Sequence, residues 1–447
     1  MKKEYVKPYI KKQITGMMNK FGASYIKQTR DKIDGVAISD LVKTFGSPAF
    51  IFSEKIIRHK YRELQRSFSS RYPKIKFAWS YKTNYLDAVC AIYHQEGSIA
   101  EVVSEFEYQK ARRLGVAGED IIFNGPSKSS EALERAFNEN AMVNIDNFDE
   151  LLKAEAVAKK MKKKVAVGIR LNMECGIYPQ WTRFGFNLEN KSAYQVVKRI
   201  HKSEYLTLNG LHSHIGTFIL APNAYAIAVK KIIDFMRSIE KDFQIHIDYL
   251  DFGGGFPSSN RLKGTYLPPE ISISPSEEYV EAICDTLLNE LQPSEYPQVY
   301  LETGRALIDE AGFLITSVEA VKRLPNGEKS YVIDAGVNLL YTSTWYNYKV
   351  ELEKAVSGPY ENSIVYGPLC MNIDVVLESV MLPPLQSGDR LILSPVGAYN
   401  VTQWMQFIHY RPAIGMIMMD GSLECIRRAE TLEDVVGPEQ IPESLKL

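Results

Sequence analysis

The chain has 447 residues, of which 45% are hydrophobic and 24% charged, and its formal net charge is -1. That length allows two or more domains with substantial cores, and the near-neutral charge gives no reason to expect nucleic acid or an anionic membrane as a partner. The start, Met1-Lys2-Lys3-Glu4-Tyr5, lacks the apolar run of a secretory signal, and no apolar stretch has transmembrane length. Five scattered cysteines (Cys90, Cys175, Cys284, Cys370 and Cys425) form no CxxC pair, so neither a disulfide framework nor a zinc site is expected and a reducing cytoplasm fits best.

Residues 1–50 read as a polar, partly helical lead-in that ends near Gly46-Ser47-Pro48 and a short apolar strand beginning at Ala49. From there to residue 311 short apolar segments alternate with stretches of helical periodicity, the pattern of βα units and a parallel sheet. Strands are predicted at Lys76–Trp79, Ile99–Val103, Ile121–Phe123, Met142–Ile145, Val165–Arg170, Leu208–His212, Ile247–Phe252 and Val299–Glu302. The clearest helices between them are Glu105–Leu114, Ser130–Glu139, Asp149–Lys162 and Ala224–Lys241. Eight strands with intervening helices predict a closed (β/α)8 barrel of the TIM type. The stretch from Asn172 to Asn190 is a long connection without clear periodicity. Over residues 312–447 the segments Phe313–Val321, Ser330–Ile333, Ser363–Tyr366, Asp389–Ser394 and Ala413–Met419 read as strands separated by turn signals, an all-β domain to which the N-terminal segment is expected to join.

In a (β/α)8 barrel, chemistry gathers at the C-terminal ends of the strands. Lys82 follows the first strand, where partial desolvation would lower its pKa and leave an amine able to form a Schiff base; taken alone it reads more readily as a surface lysine, since lysines are mostly exposed. Gly253-Gly254-Gly255 follows the seventh strand and is suited to close approach of an anion, with Gly304-Arg305 after the eighth, although three glycines also make an ordinary tight turn. His212 and His214 share a strand face, but no third ligand stands at metal spacing, so no metal is expected and one histidine is free to stack on an aromatic ligand. Glu302 beside Arg305 is either an ion pair or a carboxylate that holds a proton on a ring nitrogen. Cys370 is by default a small hydrophobe. A lysine for an imine, a glycine cradle, a stacking histidine and a ring-nitrogen carboxylate together specify pyridoxal 5'-phosphate.

With these residues in view, the sequence resembles the barrel-type pyridoxal-phosphate decarboxylases of alanine racemase-like fold, closest to the diaminopimelate decarboxylases, over nearly its whole length. Ser80-Tyr81-Lys82-Thr83-Asn84, Ala100-Glu101-Val102-Val103-Ser104, Phe123-Asn124-Gly125-Pro126 and His212-Ser213-His214-Ile215-Gly216-Thr217 match motifs of that family in order. The resemblance implies that Lys82 binds the cofactor, that His214 stacks on its ring, and that Thr217, Gly253, Gly254, Gly255, Gly304 and Arg305 line its site. It implies too that Glu302 meets the ring nitrogen and that Arg305 faces the substrate. Gly367-Pro368-Leu369-Cys370 matches a segment whose cysteine reaches the partner subunit's site in a homodimer, and Gly397-Ala398-Tyr399 one whose tyrosine touches the cofactor. Tyr346, Met371 and Tyr399 are expected to contact the substrate, and Asp374, close to Met371 in sequence, is a candidate for its distal amine although it matches a different position of the family.

Two positions depart from the diaminopimelate decarboxylases. The acidic residue that follows the cysteine is here Met371, and the arginine expected shortly after Asp334-Ala335-Gly336-Val337-Asn338 is missing from Leu340-Tyr341-Thr342-Ser343. The expected activity is therefore decarboxylation of an amino acid other than meso-diaminopimelate, small or carried on a larger scaffold or carrier protein, with Lys82 or Cys370 returning the proton. Racemisation on the same fold is the nearest rival, and Glu302 argues against it, because barrel racemases place an arginine at the ring nitrogen. A catalytically silent homologue that only binds partners is the rival of a different class.

Overall fold

The computed structural model describes residues 29–446 apart from Tyr178 and Tyr266, so most of the predicted N-terminal lead-in lies outside the described residues. The chain forms two compact units, one holding residues 56–258 and 272–308, the other holding residues up to 55, 259–271 and 309–447.

Among the described residues of the first unit, eight parallel strands close on themselves. They are Ile75–Ser80, Ile99–Val102, Ile121–Phe123, Met142–Ile145, Val165–Asn172, Leu206–Ser213, Tyr249–Asp251 and Gln298–Leu301. Closure comes from the last strand pairing with the first, Val299 opposite Ile75 and Leu301 opposite Phe77. The strands are short and rich in Ile, Val and Phe, residues that fit a pleated surface buried on both faces. Helices follow them at once because the turn chemistry demands it. Ser104, Ser129 and Asn147 each accept the backbone N–H three residues on, capping the helices Glu105–Arg113, Ser130–Asn138 and Phe148–Met161. Each capped turn leaves the C-terminal end of its strand facing the same rim. The long connection after Asn172 contributes one short strand, Phe186–Asn187, paired with the end of Val165–Asn172.

The second unit is built on antiparallel sheet. Its longest strand, Gly312–Arg323, pairs with Lys329–Ile333, Arg390–Ser394 and Ala49–Ser53. Ala49–Ser53 lies between that strand and Ile414–Ile417, which it pairs in parallel. Here two boundaries differ from the sequence reading. The break expected at residue 51 cuts a strand whose pairing runs to Ser53, and the segment after the seventh barrel strand sends Arg261–Leu262 to pair with Tyr346–Asn347. Among the described residues of this unit, three strands of four or more residues were missed: Lys349–Leu352, Val375–Leu382 and Leu423–Arg427.

Candidate active site

The first barrel strand delivers Lys82 on a tight turn, Tyr81–Thr83. Its Nζ lies 2.6 Å from Glu101 Oε2 on the second strand, and the Lys82 side chain keeps 32% exposure while Glu101 is buried. An amine that is held by a buried carboxylate and still reachable from solvent is placed for exchange chemistry. Ser80 Oγ also donates to Glu101 Oε2, at 2.5 Å. Gly304 explains how the eighth strand can end against this turn: a Cβ there would meet Thr83 Oγ1 at 2.2 Å.

Glu302 ends the eighth strand, buried beside His212, whose Nε2 is 3.1 Å from Glu302 Oε1. Asn124 Nδ2 donates to the same oxygen and, at 3.1 Å, to Glu101 Oε1. Burial pushes the Glu302 carboxyl up, but His212, Lys82 and His214 outweigh it and hold the group well below the usual carboxylate range. Asp251, at the end of the seventh strand, goes the other way: burial first and then the charge of Glu302 raise it well above the ordinary aspartate value. Arg170 on the fifth strand lies 3.5 Å from Asp146 and stacks on Phe184 at 4.5 Å.

His214 lies past the sixth strand. Its Nδ1 accepts the Gly254 N–H at 3.0 Å, which leaves the proton on Nε2. Burial, reinforced by Lys82, lowers its pKa to about 3, so the ring is neutral at physiological pH. Trp181, from the long connection after Asn172, lies 5.4 Å from the His214 ring.

The glycine turn differs from the simple cradle expected of it. Gly253 N–H is taken by Asp251 Oδ1 at 2.9 Å and Gly254 N–H by His214, which leaves the Gly255 amide for an external anion. Gly253 and Gly255 have φ values of 65° and 98°, which favour glycine. Arg305 is buried with its guanidinium 5.5 Å from the Phe218 ring, and Thr217 beside it is exposed.

The remaining candidates belong to the sheet unit. Cys370 is exposed and Met371 half-buried. Tyr346 is buried in the pair with Arg261–Leu262 and packs edge-on to Trp345. Asp374 is buried in the same unit. Its oxygens accept Val337 N–H at 2.7 Å and Leu369 N–H at 2.8 Å, and Gly336 and Gly367 pack against it with no room for a Cβ. It braces two loops. Tyr399 is half-buried with a left-handed φ of 64°, and Asp309 holds the turn before it through the amides of Gly397 and Ala398.

Sequence reading missed the partners of these groups: Glu101 as the lysine's counter-ion, Asn124 between two carboxylates, Trp181 against His214, and Asp251. It also found no third metal-type ligand near His212, whereas the fold brings ligand atoms of His212, Asp251 and Glu302 within 4.8 Å of one another.

A reachable lysine amine, a neutral imidazole, an anionic carboxylate and a glycine amide on one barrel rim fit pyridoxal phosphate, and they define an enzyme of the barrel-type pyridoxal-phosphate class. The family described as "Pyridoxal-dependent decarboxylase, pyridoxal binding domain" matches residues 55–309, and the chain belongs to it. The chain is 26% identical to the diaminopimelate decarboxylase of Methanothermobacter thermautotrophicus, covering 92% of this chain and 96% of that one. It is 27% identical to the L-glutamyl-[BtrI acyl-carrier protein] decarboxylase of Niallia circulans, covering 92% and 98%. The crystal structure of diaminopimelate decarboxylase from Methanocaldococcus jannaschii superposes with a TM-score of 0.85 at 26% identity, covering 94% of this chain and 98% of that one. The protein is a pyridoxal-phosphate-dependent carboxy-lyase.

Proposed function

We propose that this enzyme decarboxylates an amino acid whose distal end differs from that of meso-diaminopimelate, and that it works as a cytoplasmic homodimer in which Cys370 of the partner subunit completes each site. The observation that carries the substrate reading is a contrast. The barrel cluster around Lys82, Glu101 and Glu302 is complete, while the residue after Cys370 is Met371 and no arginine follows Asn338. A charged distal group buried without a partner costs several kcal/mol, Met371 is at best a weak acceptor, and Asp374 is already occupied by backbone amides.

Bound pyridoxal phosphate supplies an aldehyde for the substrate amine and a sink for the electrons left when carbon dioxide departs. The chain supplies the rest. Lys82 would hold the cofactor and move protons at its Nζ, with Glu101 fixing that nitrogen. Glu302, held anionic, would keep a proton on the ring nitrogen. His214, kept neutral, would offer its ring face without adding positive charge. The Gly255 amide and Arg305 would meet the phosphate and the substrate carboxylate. Lys82 or the partner's Cys370 would protonate the carbon that has lost carbon dioxide.

A second reading, that the amino acid is borne on a carrier protein, is supported by the Niallia circulans relative, which matches over nearly its full length. One experiment tests both: kcat/KM for carbon dioxide release from meso-diaminopimelate, lysine, ornithine, arginine, glutamate and carrier-linked glutamate. Turnover of meso-diaminopimelate at ~10⁴ M⁻¹s⁻¹ or above, the range enzymes show for their own substrates, would refute the proposal. Preference for the carrier-linked amino acid over every free one would establish the second reading.

A further inference from the structure

Under the rim of the barrel, four adjacent strands place Asn144, Gly168, Gly210 and Tyr249 in one row. Asn144 is opposite Gly168, Gly168 opposite Gly210, and Gly210 opposite Tyr249. The two glycines are there for room. A Cβ on Gly210 would meet the Tyr249 ring at 2.0 Å, and one on Gly168 would meet Tyr249 Oη at 2.3 Å and Asn144 Oδ1 at 2.1 Å. Tyr249 therefore lies across two side-chain-free positions, and its hydroxyl donates to Asn144 Oδ1 at 2.8 Å. Asn144 Nδ2 donates to Asn124 Oδ1 at 2.9 Å, and Asn124 Nδ2 donates to both Glu302 Oε1 and Glu101 Oε1. All five side chains are buried.

The direction of this chain is forced by its ends. Ionised carboxylates only accept, so Asn124 must turn its NH2 toward them. Its oxygen then faces Asn144, which must present NH2 in turn, and Asn144 Oδ1 is left for a donor. Tyr249, a neutral phenol with one O–H, is that donor. A hydrogen bond at one end thus sets which way two amides point at the other, where the carboxylate beside Lys82 and the carboxylate ending the eighth strand share a single NH2 group.

We propose that Tyr249, Asn144 and Asn124 are positioning residues that hold Glu101 and Glu302 as a matched pair of anions, so that the groups facing the cofactor's amine end and its ring nitrogen are set by one hydrogen-bond chain. This rests on the reading that Lys82 and Glu302 face the cofactor. The other charged or titratable groups around the pair are Lys82, His212, His214, Asp251 and Arg170 at Glu302, and Lys82, Glu107 and Arg170 at Glu101. All stay in place in the variants chosen.

Two substitutions conserve volume. Tyr249→Phe keeps the ring over Gly210 and removes the hydroxyl that donates to Asn144 Oδ1. Asn144→Asp replaces the donor that faces Asn124 by an acceptor, which forces the Asn124 amide to turn away from the carboxylates. The readout is the pH at which the visible absorption band of the cofactor-loaded enzyme changes, measured without substrate, beside the acidic limb of kcat/KM. One hydrogen bond is worth about 0.5–1.5 kcal/mol and one pKa unit 1.36 kcal/mol. Tyr249→Phe should thus move the acidic transition up by about half a unit, and Asn144→Asp should move it further in the same direction. Lowered thermal stability with both transitions unmoved would overturn the proposal and leave the row as packing. Borohydride reduction and peptide mapping of the wild type, run in parallel, separate this from a failure of the underlying reading: cofactor fixed elsewhere than on Lys82 removes that reading itself.

Discussion

The barrel rim and the loops of the sheet unit handle polar groups in opposite ways. On the rim Glu101 and Glu302 are buried, and each is given side-chain partners: Glu101 has Lys82, Ser80 and Asn124, and Glu302 has Asn124 and His212. On the loops of the sheet unit the buried Asp374 is spent on backbone amides, and the side chains around it, Cys370 and Ile373, are exposed. The difference teaches where each part of the function is encoded. Chemistry common to a class is fixed by a closed hydrogen-bonded interior that tolerates little change. In the proposed reading, recognition of a particular substrate falls to loop side chains, which change without disturbing the fold.

The largest effect that sharpens this contrast is at Lys82. Lys82→Ala should lower turnover by about three orders of magnitude or more, because the substituted side chain neither forms an imine nor carries a proton. The visible band of the bound cofactor should vanish with it. A variant that keeps both the band and measurable turnover would break the assignment of the rim as the chemical centre.

Next in size is the test of the exposed loop. Cys370→Ala should also be strongly impaired, yet a mixture of Lys82→Ala and Cys370→Ala proteins should regain up to about a quarter of wild-type activity after random subunit exchange, since mixed dimers hold one intact site. Absence of recovery after exchange has been confirmed by mass spectrometry would assign both residues to the same subunit's site.

Much of this was readable before any coordinates. All eight barrel strands stand out because each is a short apolar segment ending in residues a surface turn has no need of, Lys82, Asn124, His212 and Glu302 among them. The strand Val375–Leu382 was hidden because its pairing with Glu361–Tyr366 shifts register twice, which breaks the two-residue alternation. The hydrogen-bond partners were hidden for another reason. Asn124 and Glu302 are 178 positions apart, and Tyr249 and Asn144 are 105 apart, so only closure of the barrel brings them together. A trace was present in Met142-Val143-Asn144-Ile145, where an asparagine interrupts a strand buried on both faces and so requires an interior partner.

A smaller effect is expected at Asp374. Asp374→Asn keeps the shape but turns an NH2 toward one of the two backbone amides that the aspartate accepts. Chemical denaturation should show a loss of about 1–3 kcal/mol, the cost of a buried donor left without an acceptor. The absorption band of the bound cofactor should be unchanged, because Asp374 acts on the loops and not on the barrel rim. A lost band with unchanged stability would reverse the distinction drawn between the two regions.

The smallest effect concerns Glu107, a buried carboxyl on the helix that follows the second barrel strand. Burial raises its pKa to about 7 in the folded chain from an ordinary value of 4.5, while its hydrogen bond from Val103 N–H and the nearby Lys82 pull the other way. Between those two values the folded chain holds a proton that the unfolded chain has released. Stability therefore falls as pH rises from about 4.5 to about 7 and levels off above. In Glu107→Gln the amide oxygen can still accept Val103 N–H, and no proton is bound or lost. The melting temperature of the wild type should then drop relative to that of the variant across this window, and the gap should stay constant at higher pH. A gap that does not change with pH would show that Glu107 is charged throughout, and that the rim tolerates a third buried anion beside Glu101 and Glu302.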